Sequence, residues 1–300
     1  MRRKYCIDGF INFLKPPGMT SHDAVGYVRR QLGEKKVGHA GTLDPGAAGV
    51  LPVAVGRATR LIEYLDSVEK AYRAELVFGF STDSGDDSGS VVERADVFAI
   101  PARERLLEAF AAFTGTITQV PPAHSAIKIN GRRACDLLRE GKQVEIPSRQ
   151  VEIHSLKLLQ AGKNHIAFDV VCSKGTYIRS LCTDLGVHLG IPATMSFLVR
   201  RAVGSFALAD AVTAEQLAEL KERALLPMDG CLGHLTRYDL RPDRLKAFSN
   251  GLLTHDRYFQ ERHQPEGDVI LRVYCEGEFI GIGHFDVEKM AILPDKVIAR

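Results

Sequence analysis

Segments typical of β-strands and of α-helices follow one another irregularly along most of this sequence. Apolar runs at 9–14 and 50–55 predict strands, and the alternation at 71–80 predicts another. A capping box at 20–23 predicts a helix that continues to about Leu32. A parallel sheet would require a strict strand–helix rhythm, which this order does not follow. We therefore predict an α+β fold with a mixed, largely antiparallel sheet and flanking helices.

The remaining elements are predicted in the same way. Further helices are expected at 59–65, from Pro101, at 132–140, from Tyr177 and at 213–223, and further strands at 151–159 and 165–172. Near residues 226–236 the pattern changes to short strands separated by glycine and acidic turns. We predict a domain boundary there, with a larger domain at 1–230 and a small β-rich domain at 231–300.

The composition is that of an ordinary globular protein, with 45% hydrophobic and 25% charged residues. The six cysteines are scattered without a C-x-x-C pair, which predicts reduced thiols in the cytoplasm. Asp8 and the turn at 15–17 interrupt the N-terminal segment before a signal-peptide core can form. The longest apolar run, 47–56, is far too short to span a bilayer. We expect a cytoplasmic protein that does not associate with membranes.

Positive charge is concentrated in residues 121–150, which we call the basic segment. The net charge of the whole chain is only +2, which neither demands nor excludes nucleic acid. The basic segment contains six cationic residues and only three acidic ones. The six are Lys128, Arg132, Arg133, Arg139, Lys142 and Arg149. Such a segment can bind phosphates, but it could also be an ordinary solvated loop and helix.

The stretch 38–49, rich in glycine and alanine, is the most informative candidate for a functional site. Glycine lets the backbone approach a planar ligand closely. Pro45 restricts Asp44 to an extended backbone and so holds its carboxylate on a stiff loop. From these residues alone, Asp44 could be a reactive carboxylate or a structural Asx turn that caps the next segment.

Four separated motifs are far more specific together than any one of them. They are KPPGMTS at 15–21, GHAGTLDPGAAGVLP at 38–52, KAYR at 70–73 and CSKGTYIR at 172–179. In this order they resemble the bacterial tRNA pseudouridine-55 synthase family. The resemblance implies the pseudouridine synthase fold and, more weakly, a β-barrel-like PUA module for RNA binding at 231–300. It also implies that the T-loop uridine at position 55 of tRNA is isomerised to pseudouridine.

The resemblance assigns catalytic roles to three residues. Asp44 would be the catalytic carboxylate, acting as nucleophile or base, and Arg179 would lie against it and keep it ionised. The ring of Tyr72 would stack on the uracil, and its hydroxyl could take part in proton transfer. Without the resemblance, Arg179 could instead form a surface ion pair, and Tyr72 could be a core residue.

Five further residues are expected to contact the substrate. Lys15, Pro16, Tyr177 and Leu198 would line the pocket, and His39 would contact the RNA near the extruded uridine. As alternatives, Lys15 could be a solvated turn lysine, His39 a local hydrogen-bonding residue and Leu198 a core residue.

The basic segment corresponds to a family insertion that grips the T arm of tRNA, and Lys128, Arg132 and Arg133 are the candidates for this contact. A uridine inside a folded loop must be extruded, which costs a few kcal/mol that stacking and phosphate contacts offset. The expected partner is therefore tRNA, with no obligate protein partner. Two alternatives stay open, a non-catalytic RNA-binding protein or tRNA-folding chaperone, and a relative guided by another RNA.

Other kinds of site find little support in the sequence. The acidic run at 83–89 has its glycine misplaced for a calcium loop, and Arg94 occupies the position that needs a chelating glutamate. Phosphate-binding glycine motifs of nucleotide enzymes and an H-x-x-x-H zinc pair are absent from the sequence. We therefore expect no metal and no cofactor.

Overall fold

A computed structural model describes residues 7–65, 68–122, 125, 127–129, 132–133, 146–263 and 265–298. Its strands are β1 (Gly9–Lys15), β2 (Val37–His39), β3 (Ala48–Val55), β4 (Lys70–Phe78), β5 (Phe80–Thr82), β6 (Val91–Arg94), β7 (Gly115–Gln119), β8 (Lys128–Ile129), β9 (Arg132–Arg133), β10 (Arg149–Ala161), β11 (His165–Cys172), β12 (Ala193–Val203), β13 (Phe206–Ala207), β14 (Thr236–Asp239), β15 (Thr254–His255), β16 (Val269–Cys275), β17 (Glu278–Asp286) and β18 (Ala291–Val297). Its α-helices are α1 (Ser21–Leu32), α2 (Arg103–Ala112), α3 (Ile178–Leu189), α4 (Ala214–Leu220), α5 (Leu245–Ser249) and α6 (Arg257–His263). Short 3₁₀ helices span Gly56–Leu65, Leu208–Asp210, Lys221–Ala224 and Pro242–Arg244.

A large sheet forms the centre of the molecule. Its order within the described residues is β1–β3–β12–β4–β11–β10–β7, with β2 paired to β3 and β13 paired to β12. Most neighbours pair antiparallel, whereas β12 runs parallel to β3, with Val199 opposite Ala48 and Arg200 opposite Gly49. Gly49 has φ 118°, and a Cβ there would lie 2.2 Å from the Arg200 carbonyl oxygen, so glycine is required for this approach. The predicted α+β fold with a mixed, largely antiparallel sheet is confirmed.

Of the helices that pack on the large sheet, α1 and α3 follow their local sequence signals most clearly. The α1 helix starts with the predicted capping box between Thr20 and Asp23 and ends at Gly33 in the left-handed region. Its apolar face is buried against β1 and β3. The α3 helix buries its apolar face against β4 and β11 and ends at Gly190, again left-handed. Burying one large aliphatic side chain contributes about 1.5–3 kcal/mol, so these faces fix the helices on the sheet.

A smaller sheet of order β14–β16–β17–β18–β15 is built from the C-terminal residues. Its Ile282 and the following Ile298 pack into the same apolar cluster as Phe10 of β1. Beside this cluster, Lys296 forms an ion pair of 3.0 Å with Glu63. The small sheet is thus attached to the body of the molecule through the 3₁₀ helix at 56–65. None of the helices that the structure describes has the length and apolar character needed to cross a membrane.

Some sequence expectations differ from the structure. The helix expected at 59–65 is a 3₁₀ helix that starts at Gly56, where a positive φ of 63° turns the chain sharply after β3. The helix expected at 132–140 does not start there, because residues 132–133 form β9, paired with β8; residues 134–140 lie outside the described residues. In sequence, an Asn-Gly pair such as 130–131 is typical of a short connection between two antiparallel strands. The long strand β12 was not predicted.

Candidate active site

An ion pair between Asp44 and Arg179 lies where the loop between β2 and β3 meets the start of α3. Arg179 Nε is 3.0 Å from one carboxylate oxygen of Asp44, and Nη2 donates a 3.4 Å hydrogen bond to the other. The Arg179 side chain is only 4% exposed, whereas that of Asp44 is 33% exposed. The guanidinium therefore holds the carboxylate from behind and leaves it accessible from the outside.

The backbone, rather than an Asx turn, closes the turn that begins at Asp44. The N–H of Ala47 donates to the Asp44 carbonyl oxygen at 3.1 Å. One residue earlier, the Ser21 hydroxyl bridges the N–H and the carbonyl of Leu43, at 2.9 and 3.0 Å. The main chain around Asp44 is thus fixed by its neighbours, and the carboxylate is available for Arg179 and for a ligand.

Arg179 is itself held by the acidic loop between β5 and β6. Its Nη1 donates a 2.9 Å hydrogen bond to the Ser84 carbonyl, and its Nε lies 3.7 Å from an oxygen of Asp86. The other Asp86 oxygen accepts from the Ser84 hydroxyl at 2.7 Å and from the Ser88 N–H at 3.1 Å. The acidic loop at 83–89, whose sequence does not fit a calcium site, therefore holds the Arg179 side chain in place. Sequence reasoning missed Ser84 and Asp86 as members of the site, although it had noticed the loop.

Two clefts meet at this ion pair. The larger, of about 780 Å³, is lined by residues 41–44, by the chain from Lys174 to Arg179 and by Tyr72. The second, of about 550 Å³, lies on the side of the acidic loop. Asp44, Arg179 and Leu198 line both clefts. The volumes are those of ordinary small-molecule sites, so either cleft can hold a planar base beside the carboxylate.

Tyr72 lies in the middle of the large sheet, between Val170 of β11 and Arg200 of β12. It is 7% exposed and belongs to the apolar core, yet it also lines the larger cleft. Burial raises the pKa of its hydroxyl, and the nearby Arg200 opposes this effect. The phenol therefore stays protonated at neutral pH and can act as a proton donor. Arg200 lines the same cleft and was not predicted from the sequence.

Lys15 and Pro16 do not have the positions expected for residues that line the pocket. Lys15 is fully buried, and its ammonium donates to the carbonyls of Pro16, Met19 and Pro45 at 2.9, 2.7 and 3.3 Å. It joins the turn after β1 to the residue that follows Asp44. Burial, and next the charge of Arg200, lower the pKa of Lys15 from 10.5 to about 8, while Asp44 opposes them. Lys15 therefore supports the loop from behind, and Pro16 is exposed in the turn.

The other expected contact residues occupy different environments. Leu198 is 7% exposed and forms a wall between the clefts. His39 lies on β2, where burial lowers its pKa, and its Nδ1 is buried without a hydrogen-bond partner among the described residues. Tyr177 precedes α3 and lines the larger cleft, and the side-chain amide of Gln119 bonds both its N–H (2.8 Å) and its carbonyl (3.0 Å). Gln119, which is 1% exposed, was not predicted.

The basic segment reaches the larger cleft through Arg149. Its guanidinium carbon lies 4.8 Å from the centre of the Tyr177 ring, and its Nη2 donates to the Gly175 carbonyl. The backbones of Lys128, Arg132 and Arg133 belong to the paired strands β8 and β9, but their side chains are outside what the structure describes. Arg139 and Lys142 are also outside it. Among the described residues, no group of three or more His, Cys, Asp or Glu is placed to hold a metal ion.

Comparison with known proteins identifies the family. The N-terminal domain of the TruB family pseudouridylate synthases matches residues 29–178, and the tRNA pseudouridylate synthase B C-terminal domain matches residues 179–233. The tRNA pseudouridine synthase B of Moorella thermoacetica is 44% identical over 97% of this chain and 99% of that protein. The enzyme of the same name from Alkaliphilus oremlandii is 43% identical over 92% of this chain and 93% of that protein.

Solved structures agree with this identification. A Cbf5-Nop10-Gar1 complex matches with a TM-score of 0.73 and 26% identity, over 96% of this chain and 84% of that one. An H/ACA RNP bound to a substrate RNA containing 2'-deoxyuridine matches with a TM-score of 0.75 and 23% identity, over 98% and 86%. The expected pseudouridine synthase fold is therefore confirmed. The chain belongs to the TruB family of pseudouridylate synthases.

Proposed function

We propose that this protein isomerises a uridine of tRNA to pseudouridine. The relatives over almost the whole chain are named tRNA pseudouridine synthase B. The single observation that carries the proposal within this molecule is the Asp44–Arg179 ion pair, which exposes one carboxylate where two clefts meet. Isomerisation needs no second substrate, so a site for this reaction can consist of one reactive carboxylate beside a cleft of the size of a base.

In finer detail, we propose the T-loop uridine at position 55 as the target. Its base would leave the folded loop and enter the larger cleft, at a cost of a few kcal/mol. Tyr72 would supply an aromatic face and Leu198 an apolar wall, both of which favour a planar base over water. Asp44 would act as nucleophile or base, and Arg179 would keep it ionised and in place.

RNA binding is proposed for two parts of the chain outside the clefts. The basic segment would grip the T arm through phosphate contacts, with Lys128, Arg132 and Arg133 as the candidates. The small domain at 231–300, as distinct from the catalytic domain at 1–230, would act as a PUA-like RNA-binding module. We propose that the protein acts without an obligate protein partner or cofactor.

The cytoplasm is the proposed location. The four cysteines described by the structure, Cys172, Cys182, Cys231 and Cys275, are free thiols. Free thiols are usual in reducing compartments.

The test is a reaction of the purified protein with a T-arm stem-loop RNA in EDTA, followed by mapping of pseudouridine. We expect modification at one uridine, and loss of it in Asp44→Asn while RNA affinity changes by less than about tenfold, roughly 1.4 kcal/mol. Rapid turnover by Asp44→Asn would refute the assignment of Asp44. Tight RNA binding by the wild type without any pseudouridine would favour the alternative of a non-catalytic chaperone.

A further inference from the structure

Arg200 is a fully buried cation in the large sheet. It lies on β12 and is 1% exposed, and its backbone is opposite Tyr72 of β4 on one side and Gly49 of β3 on the other. A buried charge is costly unless its hydrogen bonds are satisfied. An apolar side chain of similar length would avoid this desolvation cost. The presence of a guanidinium here therefore indicates a specific role for its charge and its hydrogen bonds.

The guanidinium binds the loop that carries Asp44 on both sides of that residue. Its Nη2 and Nη1 donate to the carbonyls of Gly41 and Thr42, each at 3.1 Å. Its Nε donates to the carbonyl of Val50, at the other end of the loop, at 2.8 Å. The planar guanidinium of Arg200 thus fixes the backbone on both sides of Asp44.

The same arginine also lies beside Tyr72, because the two residues are directly paired across β4 and β12 and both line the larger cleft. Its positive charge favours an orientation of the phenol in which the oxygen faces the guanidinium and the proton points away from it. Asp44, Tyr72 and Arg200 all line the larger cleft, so the three groups lie around the space where a base would bind.

The other titratable groups around Tyr72 shift the pKa of its hydroxyl in the direction opposite to the effect of Arg200. Burial raises the pKa of the Tyr72 hydroxyl, as do Cys172 of β11 and Asp44 of the loop, whereas the charge of Arg200 lowers it. Arg200 is therefore the group around Tyr72, among the described residues, that makes it easier for the phenol to give up its proton.

We propose that Arg200 is a positioning residue, which holds the Asp44 loop and the Tyr72 phenol in one arrangement and directs the phenolic proton into the cleft. This rests on the proposed function, since it concerns how the isomerisation is carried out. The neighbouring Arg201 offers a matched control, because its side chain is 46% exposed and forms an ion pair of 2.7 Å with Asp169.

The experiment compares Arg200→Met, Arg200→Lys and Arg201→Met. The single-turnover rate with T-arm RNA at saturating enzyme should fall about hundredfold in Arg200→Met, as expected when reacting groups are misplaced. Dissociation constants for the RNA should stay close to that of the wild type. Arg200→Lys should be intermediate, because lysine keeps the charge but loses the planar fork. Arg201→Met should behave as the wild type.

A second measurement does not depend on turnover. Fluorotyrosine placed at position 72 reports the environment of the phenol by fluorine NMR in the protein without RNA. We expect its resonance to shift in Arg200→Met and Arg200→Lys and to stay in place in Arg201→Met. An unchanged resonance in a folded Arg200 variant, or a wild-type rate, would overturn the proposal. Should Arg200→Met fail to fold, Arg200→Lys decides by the same two readouts.

The outcomes separate this proposal from the proposed function. If the wild type forms no pseudouridine, the proposed function fails and the positioning role fails with it, even where the resonance shifts. If the wild type is active and both Arg200 variants match it, only the role of Arg200 is refuted. A loss of rate that is matched by an equal loss of RNA affinity would also refute it, because the arginine would then serve binding.

Discussion

Replacing Arg179 tests whether the buried guanidinium holds the Asp44 carboxylate in its reactive position. Arg179→Ala removes the cation between Asp44 and Asp86, at 3.0 and 3.7 Å, and leaves the Ser84 carbonyl without its 2.9 Å donor. Removing one partner of a buried ion pair costs about 3–5 kcal/mol. Because Asp44 is 33% exposed and water can replace part of the interaction, we expect the lower end of that range.

Where this stabilisation is needed in the transition state, the loss of about 3 kcal/mol from it corresponds to a rate reduction of about hundredfold. Arg179→Lys keeps the positive charge but loses the planar fork, so it cannot bind both carboxylates and the carbonyl at once. We expect its rate to lie between those of the wild type and Arg179→Ala. The unfolding temperature should follow the same order, since the carboxylates lose their partner in the free protein as well.

The assay is the single-turnover formation of pseudouridine in T-arm RNA at saturating enzyme, together with thermal unfolding. Arg201→Ala serves as the control, because it removes an arginine from an exposed ion pair, which contributes little. Wild-type rates in both Arg179 variants would show that Arg179 is not the functional partner of Asp44. Equal losses in Arg179→Ala and Arg179→Lys would show that the fork, and not the charge, is what matters.

Three further predictions concern the RNA grip, the buried lysine and the small sheet. Changing all cations of the basic segment except Arg149 to glutamine should flatten the slope of log affinity for T-arm RNA against log salt by about 2–3 units, if about three contact phosphates; an unchanged slope with the fold intact would place the grip elsewhere. Lys15 has a pKa of about 8 when folded and 10.5 when unfolded, so the unfolded chain binds more protons between these values and stability should rise with pH in that window. Denaturant unfolding from pH 7 to 10 should show this rise in the wild type and not in Lys15→Met; parallel curves would refute it. Removing residues from 234 onward uncovers the apolar cluster against which Ile282 and Ile298 pack, and should lower the unfolding temperature and weaken tRNA binding. The single-turnover rate of bound RNA should persist, because Asp44, Tyr72 and Arg179 are upstream; its collapse in a folded variant would place reactive groups in the small sheet.

Elements with local signals could be predicted from the sequence. The capping box at Thr20 and the glycines at 33 and 190 act within one helical turn, so they mark α1 and the end of α3 without knowledge of the fold. Strand β12 was missed for the opposite reason. Its sequence contains Arg200 and Arg201 side by side, which is typical of a surface, and only distant backbone carbonyls make burial of Arg200 acceptable.

Residues of the candidate site could be predicted only where they belong to the sequence motifs that show the family resemblance. The residues alone left Asp44 undecided between chemistry and a structural turn, and the resemblance supplied its pairing with Arg179, which is 135 residues away. Asp86 belonged to a loop that was considered only for calcium, because nothing local shows that a buried arginine faces it. Lys15 was expected in the pocket, yet carbonyls from two separate turns hold it behind the loop.

The parallel pairing of β12 with β3 has a consequence for how the protein is made. Arg200 and Val50, which it binds, are 150 residues apart in the sequence, so this contact closes one of the long loops of the chain. Contacts of such high sequence separation form late and slow the folding of a domain. On the ribosome, Asp44 and Tyr72 are synthesised long before Arg200 emerges. The proposed active site is therefore expected to be assembled near the end of folding, and a nascent chain that stops before β12 carries Asp44 and Tyr72 without the arginine that holds the Asp44 loop.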